Sequence, residues 1–317
     1  MPDLADKIRE AARNLLQQKE VELVIGFEQG SMPLYSTPCF VRENEEVDRL
    51  IWNSFCENNL AQYLTKRSEK VAIIAKGCDT RAIVELIKEN QIPREQVVII
   101  GIPCQGMVDR KRVETELGGK EVLEVEEKDG ELILKGADFE ETLNRNEFLY
   151  PSCKTCTHKN PVLYDTLVGD EVTEPDADPY LDVEQFEAQS AEERWEHISR
   201  EFNKCIRCYA CRNACPLCYC NECFVDSSQP QWIGKTTDPS DTAIFHIMRA
   251  FHLAGRCVGC GACERACPMG VDIRELNRKL AKDVKDLYAY QAGTSLEQVA
   301  PLATFKPDDP QEFMLDP

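Results

Sequence analysis

The sequence has no apolar run that could cross a bilayer. Its longest, Val71 to Ala75 and Val97 to Ile102, fall far short of the roughly 20 residues a spanning helix needs. No membrane span is expected, and Met1-Pro2-Asp3 reads as no signal peptide, so the chain is expected to be soluble and cytoplasmic. Basic charge is also scarce. Lys and Arg number 37 against 56 Asp and Glu in 317 residues, and a net charge of −19 repels the phosphates of nucleic acid and of anionic lipid. Nucleic acid is therefore excluded as an expected partner. No G-x-G-x-x-G follows a predicted strand, which removes a standard dinucleotide site. Neither a Ser/His/Asp set, a phosphate loop nor paired carboxylates can be found, so no residue is assigned a catalytic role of the hydrolase or transferase kind.

What the sequence does have is 17 Cys, crowded into C-x2-C runs rather than scattered as disulfide partners would be. That spacing belongs to metal binding in a reducing compartment. The first half alternates amphipathic helices with short β-branched runs: a helix from Leu4 to Lys19, a strand around Val21 to Phe27, a helix from Val47 to Leu64, a strand Val71–Ala75, a helix from Thr80 to Asn90 and a strand Val97–Gly101. The pattern predicts an α/β domain with a mainly parallel sheet. Glu121 to Glu126 and Glu131 to Lys135, around Asp129-Gly130, read as a hairpin appended to that sheet.

Residues 170–194 are rich in acid and proline, hold no base before Arg194, and read as a linker. Helices are expected at Trp195 to Asn203, Asp241 to Ala254 and Ile273 to Tyr290, with no competing strand pattern, so the second half is expected to be all-helical. The expected organisation is thus 1–169, an α/β domain; 170–194, a linker; 195–290, a helical domain whose small core is supplemented by whatever its cysteines bind; and 291–317, a tail.

Cys205-x2-Cys208-x2-Cys211-x3-Cys215-Pro216 and Cys257-x2-Cys260-x2-Cys263-x3-Cys267-Pro268 are two copies of one spacing. Three thiolates at i, i+3 and i+6 cap one face of an iron–sulfur cube, and the fourth is carried across to the other cube. Cys205, Cys208, Cys211 and Cys267 are therefore expected to hold one 4Fe-4S cluster, and Cys257, Cys260, Cys263 and Cys215 a second. Structural zinc would pair two C-x2-C units and needs neither the third Cys nor the Cys-Pro. Cys218, Cys220 and Cys223 fit two roles, a further metal centre or small buried residues around the first cluster. His197, His246 and His252 read as surface or packing residues, since each cube already has its four thiolates.

Cys78 and Cys104 each follow a predicted parallel strand, where an open sheet forms its ligand crevice and a helix N-terminus lowers a thiol pKa. With Cys153-x2-Cys156 they supply four thiolates for a third 4Fe-4S cluster. The competing reading is a redox-active Cys153/Cys156 dithiol, with Cys78 and Cys104 as buried residues. Cys39 and Cys56 have no partner spacing and are expected in the core, although Cys56 could replace one ligand.

The elements Lys76-Gly77-Cys78-Asp79-Thr80-Arg81-Ala82, Ile102-Pro103-Cys104-Gln105-Gly106, Cys153-Lys154-Thr155-Cys156 and Asp165 to Gly169 resemble the beta-subunit family of deazaflavin-reducing hydrogenases and related formate dehydrogenases, over about the first 170 residues by this motif reading. The second half resembles the helical dicluster ferredoxin domains of heterodisulfide reductase and succinate dehydrogenase iron–sulfur subunits. The resemblance implies an iron–sulfur flavoprotein subunit that relays electrons between a soluble carrier or flavin centre and a catalytic partner in an anaerobic oxidoreductase complex. In one respect the sequence departs from it: the family's flavin-binding region continues past the Cys153 motif, whereas here the acidic stretch and the ferredoxin motifs follow. Two alternatives stand beside this reading, a freestanding flavin-dependent oxidoreductase acting on a soluble substrate and a nonredox zinc scaffold.

Overall fold

The computed structural model describes residues 3–176 and 178–303. Its elements in chain order are α1 (Leu4–Gln17), β1 (Leu23–Gln29), β2 (Ser36–Val41), β3 (Val71–Ala75), α2 (Gly77–Lys88), β4 (Val97–Gly101), α3 (Arg110–Glu116), β5 (Glu124–Lys128), β6 (Glu131–Lys135), β7 (Glu140–Asn144), α4 (Pro151–Lys154), β8 (Thr166–Leu167), α5 (Leu181–Glu187), α6 (Ala191–Asn203), α7 (Ala210–Asn213), α8 (Pro239–His252), α9 (Ala262–Arg265) and α10 (Arg274–Tyr288). Among the described residues, the part beyond Leu167 is helical and adds no strand.

The first half folds as an α/β unit around a five-stranded sheet of order β2-β1-β3-β4-β8, parallel except for the β1–β2 pair. A strand covered on both faces needs apolar residues at every position. Val71–Ala75 meets that need: Ile73 enters one core with Leu23, Ile25 and Ile99, while Ala72 and Ile74 enter the other with Val24 and Ile100. α1 closes the second face with Ile8 and Ala12. β3 and β4 run in register from Val71↔Val97 to Ala75↔Gly101, so Lys76-Gly77-Cys78 and Ile102-Pro103-Cys104 leave the sheet side by side.

Three expectations change. The hairpin is no appendage of the main sheet. It gains a third strand and forms a separate antiparallel sheet, β5-β6-β7, over its own core of Val113, Leu117, Leu132, Leu134 and Phe148. Its turn at Asp129-Gly130 has positive φ at both residues, the hairpin geometry that Asp-Gly favours.

The expected helix from Val47 to Leu64 is instead two short 3-10 turns, Asn44–Arg49 and Leu60–Tyr63, joined by irregular chain. The cause lies outside the segment. The Lys76 ammonium is buried beneath it and takes the carbonyls of Cys56 and Asn58 at 3.0 and 2.8 Å, groups a helix would have used itself.

The acidic stretch 170–194 is not simply a solvated linker, because it contains α5. Asp182 accepts from Arg278 and Arg274 of α10 at 3.0 and 3.1 Å, and Glu187 pairs with Lys279 at 2.7 Å. Burial alone would raise the Asp182 carboxyl, but the two guanidinium groups outweigh it and hold the pKa below the usual carboxylate range. Residues 290–293 likewise pack on the first half, and Tyr290 and Ala292 share the core of Ile83, Leu86 and Val258. The two halves therefore meet over a continuous apolar core. The stretch Lys306 to Pro317, expected as a tail, lies outside the described residues. No helix among the described residues is long and apolar enough to cross a membrane.

Candidate metal centres

The two ferredoxin motifs fold alike. Arg207 and Tyr209 in the first, and Gly259 and Gly261 at the matching positions of the second, all have positive φ, which curls each C-x2-C-x2-C loop before the short helices α7 and α9 begin. Left-handed backbone costs a residue with a Cβ about 1–2 kcal/mol. In the first motif Arg207 offsets this by donating to the carbonyls of Asp241 at 2.9 Å and Gly234 at 3.2 Å and by lying over the Phe245 ring.

Cys205, Cys208, Cys211 and Cys267 line one cavity, closed by Ile206, Tyr209, Phe245, His246 and Met269. We call it the outer site, since the Cys208 thiol is exposed. Cys267 has thus crossed from the second motif to the first. Cys215 makes the reverse move, packing with Cys257 and Cys260 against the central core.

A second cavity, the inner one, is walled by Cys257, Cys260 and Cys263 from one half of the chain and by Cys78, Cys104, Cys153 and Cys156 from the other. Among the described residues no three His, Cys, Asp or Glu side chains converge on a single metal ion. The thiols instead surround cavities, as the separated ligands of a multi-atom cluster must. Backbone amides also point at sulfur: Gly106 to Cys104 and Met107 to Cys153, both at 3.3 Å, Arg207 to Cys205 at 3.4 Å, and Val271 to Cys267 at 3.3 Å. N–H···S bonds of this kind tune the potential of an iron–sulfur cluster whose thiolates accept them. The donor set therefore fits 4Fe-4S clusters.

Cys78 corrects the sequence reading. A position in the first turn of α2 is expected to lower its pKa, yet burial, followed by the Asp79 charge, holds it well above the ordinary thiol value. Cys104 is pushed to about 12 by burial and then by Cys153, and Cys263 to about 12 by burial against the opposing charge of Arg249.

The remaining cysteines do not converge. Cys39 lies in the core against α1, pushed up to about 12 by burial and then Glu28. Cys56 faces Asn53 at 3.5 Å and not the inner cavity. Cys218 packs beside Cys215 on the central core and its amide donates to the Cys215 carbonyl at 3.2 Å, Cys223 packs beside the outer site, and Cys220 is exposed. His246 stacks on Phe202 and is held low, to about 4, by burial and then by Arg249 and Arg207; His197 pairs with Glu275 and His252 meets Phe224 edge-on.

Sequence reasoning missed the cations. Lys76 is sealed between Asp79, at 3.0 Å, and the rings of Phe27 and Trp52. Arg249 donates to the Cys211 carbonyl at 3.1 Å, and Arg265 to that of Cys260 at 2.8 Å. Arg145 holds the Cys104 loop through the carbonyls of Gln105 and Gly106 and the Ser54 hydroxyl. Helical periodicity gives no sign of a buried arginine, but Arg265 stands between two expected ligands in Cys263-Glu264-Arg265-Ala266-Cys267, and that position was a usable signal.

A cleft of roughly 1160 Å³ opens between the main sheet and the small one, walled by Gln29 to Pro33, Trp52 to Phe55, β5, β6 and Arg145. Cys104 and Met107 line both this cleft and the inner cavity, so the two adjoin.

Residues 68–198 match the family described as the C terminus of the coenzyme F420 hydrogenase/dehydrogenase beta subunit, and residues 201–271 match the 4Fe-4S dicluster domain. The F420-dependent formate dehydrogenase subunit beta of Methanocaldococcus jannaschii is 26% identical over 88% of this chain and 89% of its own length. The F420-dependent formate dehydrogenase 1 subunit beta of Methanococcus maripaludis is also 26% identical, over 89% of each chain. A chain of the F420-reducing [NiFe] hydrogenase complex from Methanosarcina barkeri aligns with a TM-score of 0.39 and 16% identity, covering 48% of this chain and 58% of that one. The chain thus joins a segment that matches the coenzyme F420 hydrogenase/dehydrogenase beta-subunit model to one that matches the 4Fe-4S dicluster model, and is similar to formate dehydrogenase beta subunits over most of its length.

Proposed function

We propose that this chain is the electron-transfer subunit of a cytoplasmic, anaerobic oxidoreductase complex, carrying three 4Fe-4S clusters in a row. Cys205, Cys208, Cys211 and Cys267 hold the outer cluster; Cys257, Cys260, Cys263 and Cys215 hold the inner one; Cys78, Cys104, Cys153 and Cys156 hold the third. The α/β unit of residues 1–169 presents the third cluster and the helical unit of 195–290 the other two. The cleft beside Cys104 takes the two-electron carrier, a flavin or a deazaflavin, and the cubes pass electrons singly to or from a catalytic partner. One observation carries this reading: seven cysteines from both halves of the chain wall a single cavity, which adjoins the cleft at Cys104. Anaerobic purification of the full chain with its bound subunits tests it. About 12 iron atoms per chain, at four per cube, and a copurifying redox subunit are expected. Iron near 8, or a lone chain, would overturn it.

The cleft also favours a second reading, a freestanding flavin-dependent oxidoreductase. Specific turnover of a soluble substrate by the isolated chain, with no partner present, would establish that reading in place of the first.

A further inference from the structure

A four-thiolate cube carries net negative charge, and each reduction adds more. The inner cavity brings two such ligand sets together inside a chain already at −19, and Cys263 of that cavity packs with Cys205, Cys211 and Cys267 of the outer site. Several cations line the inner cavity, Lys76, Arg81, Lys159, Arg274 and Arg278 among them, and two further arginines, Arg265 and Arg249, stand where ligand sets meet. Arg265 lines the inner cavity and donates across the halves, to the Cys260 carbonyl at 2.8 Å and to the Glu57 carbonyl at 2.7 Å, with Tyr150 covering its guanidinium. It shares that lining with Cys260 and Cys153, one from each ligand set. At the other junction, where Cys263 of the inner set packs in one apolar core with Cys211 of the outer, Arg249 is 5% exposed and donates to the Cys211 carbonyl at 3.1 Å.

Beside Arg265 the contact between the ligand sets is close. Ser152, just before Cys153, lies against Gly261, just after Cys260, with no room for a Cβ between them. The Ser152 hydroxyl is buried, lines the cavity and has no hydrogen-bond partner among the described residues. A cluster sulfur is an acceptor suited to it.

We propose that Arg249 and Arg265 are shared counter-charges, one at each junction of the relay: Arg249 sets the reduction potentials of the outer and inner clusters together, and Arg265 those of the inner and third. The Arg265 half rests on the three-cluster reading above. Each guanidinium stabilises the reduced form of both neighbours, so an electron on one cube is partly offset by the cation it shares with the next. The two arginines are positioning residues and bind no iron.

Potentiometric titration of the full chain, reconstituted anaerobically and followed by electron paramagnetic resonance, tests the proposal. Signals are assigned with Cys208→Ser for the outer cluster and Cys78→Ser for the third. Arg265→Gln is expected to keep about 12 iron and lower the inner and third potentials, each by about tenfold in the reduction equilibrium, or about 59 mV for a one-electron couple, leaving the outer one in place. Arg249→Gln should lower the outer and inner and spare the third. Arg265→Lys keeps the charge but cannot reach both carbonyls, so recovery of the potentials in that variant separates charge from structure. Shifts in all three clusters alike, or in none, at full iron content would overturn the proposal. Wild-type iron near 8 that Cys78→Ser leaves unchanged would remove the third cluster, and the Arg265 assignment with it.

Discussion

Arg81 of α2 holds the Ala292 carbonyl with two of its nitrogens, at 3.0 and 2.7 Å, and reaches the Val258 carbonyl with the third at 3.0 Å. One side chain of the α/β half thus secures both the start of a ferredoxin motif and the chain that follows α10. Around it Glu85 accepts from Tyr290 and from the Gly293 amide, and Glu89 accepts from Tyr219 and Arg256. α2 is therefore the element on which the two halves are registered.

Arg81→Ala is expected to leave two buried carbonyls unpaired and to cost about 3 kcal/mol or more, since hydrogen bonds to charged groups contribute about 1.5–3 kcal/mol each. Limited proteolysis and the apparent melting temperature of the full chain check it. Cleavage between residues 289 and 293 should appear early, and an unchanged digestion pattern would mean that the apolar core alone holds the halves together.

Much of this arrangement was legible in local sequence. Val71–Ala75 and Val97–Gly101 were readable to the residue because a strand covered on both faces needs an unbroken apolar run, and the ferredoxin spacing carries its own geometry. What was not legible depends on distant partners. The segment from Val47 to Leu64 is kept from forming a helix by Lys76, and α5 owes its docking to Arg278, 96 positions downstream. Local pattern carries no signal for either. The buried arginines share that cause, because a cation is buried only where folding gathers the groups that satisfy it.

Cys215→Ser is expected to remove the inner cluster and spare the outer one, although Cys215 belongs by sequence to the outer motif. Cys267 already lines the outer cavity, and Cys215 packs with Cys257 and Cys260. Because Cys218 packs on the same core as Cys215, with its amide on the Cys215 carbonyl, the Cys215→Ser/Cys218→Ser double variant guards against ligand replacement. Resonance spectra reporting loss of the outer signal alone would contradict the crossover.

Arg145→Met should disturb the Cys104 loop without touching a thiol. Arg145 is 7% exposed and supports the Gln105 and Gly106 carbonyls, and Gly106 itself sits at φ +101°. Losing a buried guanidinium's bonds is expected to cost about 2–4 kcal/mol and to remove the third cluster first. The check is iron content, falling by about four atoms while the inner and outer signals persist. Full iron with three unchanged signals would show that the loop holds its shape unaided.

Gly261→Ala tests the closest approach of the two ligand sets. Gly261 has φ +72°, so any Cβ there costs about 1–2 kcal/mol before contacts are counted. The added methyl would also point at the Ser152 hydroxyl and the Arg265 guanidinium, which must both give way. Cys153 and Cys260 flank this contact, so forcing it open moves the inner and third clusters apart while each keeps its own four thiols. The expected outcome is an unchanged iron count, a weaker magnetic interaction between the two clusters, and slower electron passage from the cleft to the outer site. Ser152→Gly in the same chain removes the obstructing hydroxyl and should restore part of the interaction. Stopped-flow reduction at the outer cluster, read beside the resonance spectra, separates the outcomes: undiminished transfer in Gly261→Ala at full iron would mean that electrons pass between the halves by a route other than the Ser152–Gly261 contact.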